Sequence, residues 1–125
     1  MELYERKDGA VGVLVSKGFG AGWSTWNQDA LAYDKRVVDF WIAHRNNRAF
    51  MENIRQDGSW GGVPESDAHR EAREFFEGIG YKCPYFGGFS SIELHFVPRG
   101  VPWTITEHDG NEELLTSDSI EFTTF

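Results

Sequence analysis

Between Lys17 and Asn27 glycine returns at alternate positions, Gly18, Gly20 and Gly22, and two tryptophans, Trp23 and Trp26, follow at once. Glycine so spaced loses too much backbone entropy for a helix and offers no side chains for a strand face, so the segment is a loop. Two different hydrophobic periods flank it. On one side Val11, Val13 and Val15 alternate with Gly12, Leu14 and Ser16, the pattern of a strand with one face fully buried. On the other, Val37, Val38, Trp41 and Ile42 recur at helical spacing. Asp34 stands as N-cap of that helix, and His44 and Arg45 lie near its C-terminal end, where the helix dipole favours them.

The rest of the chain extends this plan. Lys7-Asp8-Gly9 is a turn signal between Glu2–Glu5 and Val11–Ser16, which predicts a β-hairpin. Phe50, Met51 and Ile54 predict a further helical turn, and Asp57 to Pro64 is a second glycine-rich loop. Ser66 caps a helix from about Asp67 to Glu77 that buries Ala68, Ala72, Phe75 and Phe76 and stops at Gly78 and Gly80. Alternation then predicts strands around Ile92–Phe96 and Val101–Ile105, and two more over Glu112–Thr116 and Ser119–Phe125. Arg99-Gly100 marks one turn and Asp109-Gly110 a stronger one. The expectation is a single compact α+β domain over residues 1–125, a mainly antiparallel sheet packed against two helices.

Charge and composition narrow the function classes. A net charge of −8 opposes binding of nucleic acid through a general basic surface, and opposes docking to an anionic membrane. Cys83 is the single cysteine, which leaves no intrachain disulfide, and no run is apolar enough to span a bilayer. A soluble cytoplasmic protein is the expectation. The four histidines, His44, His69, His95 and His108, show no metal-ligand spacing, so neither metal nor cofactor is expected. His95 and His108 are expected to meet as a surface pair on neighbouring strands. Ser24 is the one serine placed like a nucleophile, yet Trp26 stands where G-x-S-x-G needs its second glycine. Cys83, before Pro84, reads as a small buried hydrophobe, and Glu112 and Glu113 point to opposite faces of a strand. The chain reads as a binding protein without catalysis.

Two surfaces compete for the binding role. Backbone N–H groups of the first glycine loop can form a nest for phosphate, with Trp23 and Trp26 stacking on a ring. A ligand set follows of Gly18, Phe19, Gly20, Gly22, Trp23, Ser24 and Trp26, with Arg36 or Arg48 reaching the anion. The loop lacks the Lys-Ser/Thr ending of a P-loop and the spacing of a dinucleotide fold. The competing reading is a tight connection whose tryptophans pack into the core. The second surface is the C-terminal segment, which carries no Lys or Arg beyond Arg99. There Glu107, Asp109, Glu112 and Glu121 are expected on an acidic sheet face that docks a basic protein groove or is simply solvated.

The stretch Trp103-Thr104-Ile105-Thr106-Glu107-His108-Asp109-Gly110-Asn111-Glu112 resembles the W-x-I-x-E-Y-D-G-x-E signature of small proteins encoded by phages and prophages. Gly18-Phe19-Gly20-Ala21-Gly22-Trp23-Ser24 resembles the Y-G-G-F-G-L-S loop of the same proteins. Ala21 stands where that pattern has Phe, His108 replaces its Tyr, and the terminal H-R-x-W is replaced by Ile120 to Phe125. The resemblance implies an accessory phage protein in the host cytoplasm that acts against host defence. One implied mode sequesters a small phosphorylated nucleotide signal without chemistry. The other inhibits a host defence protein, a nuclease or its complex, by docking on it. An oligomeric structural or virion-assembly role is a third reading.

Overall fold

In the computed structural model, which describes residues 1–116 and 124–125, strand β1 (Val11–Ser16) is buried along its whole length. It lies antiparallel to β2 (Ile92–Val97), with Val11 opposite Val97 and Ser16 opposite Ile92. Its two faces enter two different cores. Leu14 belongs to the larger cluster, with Trp23, Val38, Trp41, Phe76, Phe86 and Phe89. Val13 and Val15, on the other face, pack with Ala32, Val97 and Trp103. An apolar run buried on both faces is the pattern of a strand covered from both sides, which revises the one buried face expected from alternation.

The helical layer is α1 (Lys35–His44), α2 (Arg48–Asn53) and α3 (Asp67–Gly78). Each begins where its cap predicts. The Asp34 carboxylate accepts from the Arg36 N–H, Asn47 from Phe50, and Ser66 from His69. Three helices stand where two were expected, because Asn47 caps α2 as an element of its own. Phe40 of α1 stacks on Phe75 of α3 at 4.3 Å and meets Phe50 of α2 edge-on, so the layer is joined by aromatic contact.

The other layer is a hairpin of β3 (Trp103–His108) and β4 (Asn111–Thr116). Asp109 (φ 51°) and Gly110 (φ 85°) are both left-handed, the requirement of a type I′ turn, and Asp-Gly is the pair that turn favours. The domain is α+β, with two separate two-stranded antiparallel sheets, β1–β2 and β3–β4, in place of one. His95 and His108 therefore do not face each other: His95 lies opposite Val13 and His108 opposite Asn111. The N-terminal hairpin shrinks to a bridge between Glu5 and Val11, since β1 takes its ladder partner from β2. The strand expected over Ser119–Phe125 lies largely outside the described residues.

Candidate functional site

The first glycine loop leaves β1 at Ser16 and returns through a short 3-10 turn, Ser24–Trp26. Across it lies Glu112 of β4, a carboxylate with no exposed surface. Its Oε1 accepts from the Ser16 N–H at 2.8 Å. Its Oε2 accepts from the Trp23 N–H at 2.9 Å, the Thr25 N–H at 3.1 Å and the Thr25 hydroxyl at 2.5 Å. Lys17 donates from Nζ to the Glu112 carbonyl oxygen at 3.1 Å. A carboxylate is an acceptor with room for about four donors, and here all four are neutral, one from the end of β1 and three from the loop that follows it. The loop does form an anion nest, and the anion in it is the chain's own Glu112.

Close approach explains the glycines. A Cβ on Gly22 would lie 2.6 Å from Thr25 Oγ1 and 3.1 Å from Glu112 Oε2, inside the nest. A Cβ on Gly110 would lie 2.3 Å from the Ala21 backbone nitrogen, where the hairpin turn meets the loop. The Gly20 N–H donates to the Asp109 carbonyl at the same seam. The loop and the hairpin turn are thus the two sides of one joint.

The expected ligand residues divide at this joint. Trp23 is fully buried, edge-on to Phe76 and Phe89 and stacked on Phe86 at 6.0 Å, with its indole N–H on the Leu31 carbonyl. Ser24 is buried as well. The ligand roles expected for Trp23 and Ser24 give way to core roles, because an apolar ring satisfied at its one donor belongs inside. Trp26 and Phe19 remain outside, 41% and 72% exposed. Trp26 stacks on Tyr85 at 6.1 Å and donates from Nε1 to Glu107 at 3.3 Å.

Arg36 and Arg48 do not bond the loop. Arg36 pairs with Asp34 at 2.7 Å and reaches the Ile79 carbonyl, and Arg48 pairs with Glu52 along its own helix. Burial pushes the Asp34 carboxyl up, but bonds from Arg36 and Tyr81 outweigh it and hold it below the usual range. The same contact works on Tyr81, where burial first and Asp34 second push the phenol to about 12. This cluster ties α1 to the chain after α3.

Of the acidic residues expected on one face, Glu107 and Asp109 are exposed. Glu112 is corrected from partner contact to internal ligand, since register places it opposite Glu107 on the side that meets the loop. Glu121 lies outside the described residues. Glu107 sits below the ordinary carboxylate range, held first by the Gly110 N–H and then by Trp26. Cys83, expected buried, is exposed. Among the described residues no group of three or more His, Cys, Asp or Glu could hold a metal, and no helix is long and apolar enough to cross a membrane.

Two features lay beyond the reading of the sequence. One is the Glu112 bond to a loop some ninety residues away, for which only the acidic residue after Asp-Gly was a signal. The other is the second glycine loop, where Trp60, Val63 and Tyr85 stay exposed around a groove. Exposed tryptophan in a glycine loop was the available clue. No family model, curated protein or solved structure matches this chain.

Proposed function

We propose that this protein is a non-catalytic docking factor that binds a basic surface of another protein through the hairpin turn and its two flanking aromatic rings. One observation carries the reading. The Gly20–Asp109 and Trp26–Glu107 bonds seat exposed Phe19 and Trp26 beside the exposed carboxylates Glu107 and Asp109. Rigid aromatics with a charged rim are the composition of interface hot spots, and acidic groups steer a basic partner. Nucleotide capture at this loop is less favoured, because its Trp23 and Thr25 N–H groups are bonded to Glu112, a carboxylate that would repel a phosphate there.

The setting implied by the resemblance makes the partner a host defence protein met in the host cytoplasm, and the outcome its inhibition. The test is phage plating on hosts that carry single defence systems, with and without this protein. Restored plating against one system is expected, lost on Phe19→Ala with Trp26→Ala. Glu107→Gln with Asp109→Asn keeps the local hydrogen bonds and removes the charge, so it weakens binding to that partner and flattens its salt dependence. Protection that survives both double variants contradicts the reading.

A further inference from the structure

The second glycine loop is built on a closed neck. Asp57 bridges to Glu65, the Ser66 N–H donates to the Gln56 carbonyl at 2.9 Å, and Gln56 Nε2 donates to the Pro64 carbonyl at 2.8 Å. Above this neck Trp60 is 68% exposed, and with Tyr85 and Val63 it lines a groove of about 450 Å³. That size falls in the range of small-ligand sites.

Arg55 lines the same groove. In a chain with many more acids than bases, arginines find partners easily. Arg6, Arg36, Arg48, Arg70, Arg73 and Arg99 each pair with a carboxylate, and Arg45 lies over the Trp41 ring. Arg55 has neither kind of partner among the described residues. Two acids, Glu52 and Asp57, line the groove with it. Glu52 pairs with Arg48, and Asp57 Oδ1 accepts from the Ser59 N–H and hydroxyl. Asp57 Oδ2 makes none of these bonds and can accept from a ligand.

We infer that this groove binds a nucleoside monophosphate: the ring stacks on Trp60 and Tyr85, the phosphate meets Arg55, and a ribose hydroxyl donates to Asp57. The chemistry selects that class over its parts. Bare phosphate leaves the aromatic walls uncovered, and a nucleoside leaves Arg55 unpaired. Tyr85 adjoins the docking face, where it stacks on Trp26, but the variants Arg55→Gln and Trp60→Ala leave Phe19, Trp26 and Glu107 untouched.

Titration of the 125-residue chain with each of the four common nucleoside monophosphates tests it, read by the Trp60 indole N–H resonance and by calorimetry. Saturable binding is expected, with the matching nucleoside and inorganic phosphate each at least about tenfold weaker. Arg55→Gln brings the monophosphate down to the affinity of the nucleoside, and Trp60→Ala removes both. These side chains lie at the surface, so the melting transition is expected to hold. The Trp60 resonance in the parent chain gives a readout that needs no variant. Absence of saturation with every monophosphate overturns the inference, as does equal affinity for nucleoside and monophosphate, or binding indifferent to Arg55→Gln.

Discussion

The two glycine-rich loops have similar compositions and opposite interiors. In the first, from Gly18 to Trp26, the Trp23 and Thr25 backbone donors turn inward onto Glu112, and one of its two tryptophans is sealed in the core. In the second, from Asp57 to Pro64, the neck is closed by its own bonds while Trp60 and Val63 stand in solvent. Glycine and tryptophan together report close approach of backbone and ring. What fills the space decides whether the loop is a joint or a site. The first loop is a joint, since its anion arrives from a strand of the same chain, and the second keeps its space open.

The largest way to break this contrast is to remove the internal anion. Glu112→Ala leaves the donors of Ser16, Trp23 and Thr25 buried without an acceptor. It is expected to be the largest loss in chemical denaturation, at about 1–3 kcal/mol for each buried donor left unsatisfied. Glu112→Gln is milder, because the amide keeps one acceptor oxygen but turns donors toward donors, at about 1–3 kcal/mol. Next comes the seam itself. Gly110→Ala places a Cβ against the Ala21 backbone at a left-handed φ of 85°, and a loss of about 2–4 kcal/mol in the same measurement is expected.

A smaller effect separates the loops by pH. Beside the second loop's neck, Glu65 accepts from Arg73 and from His69 Nδ1 at 2.6 Å, and these bonds, Arg73 first, hold its carboxyl down at about 2. A carboxylate whose folded pKa is depressed adds stability that is fully present above its ordinary value near 4.5 and fades as pH falls toward 2. Glu65→Gln is expected to flatten that acid limb of the thermal melting curve, while Trp60→Ala leaves its shape unchanged.

Local chemistry was legible in the sequence and distant pairing was not. Asp34, Ser66 and the Asp-Gly turn each act within a few residues, so their caps and turn were readable from spacing alone. The α+β class followed from the same periodicities. β1 meeting β2 across most of the chain, and Glu112 reaching Ser16, depend on which surfaces meet in three dimensions. Alternation told correctly that Glu112 and Glu113 face opposite ways, but not that the Glu112 side was the covered one. Arg55 was one basic residue among several until the partners of the others were seen.

Amide hydrogen exchange compares the two loops in a single experiment and tests directly whether the first nest is filled from within. The Trp23 and Thr25 amides, held by Glu112, are expected to exchange only through global unfolding, while the exposed Gly61 amide exchanges freely. Exchange at Trp23 and Thr25 as fast as at Gly61 would contradict the account, for it would mean that the first loop's donors are open to solvent and to a ligand.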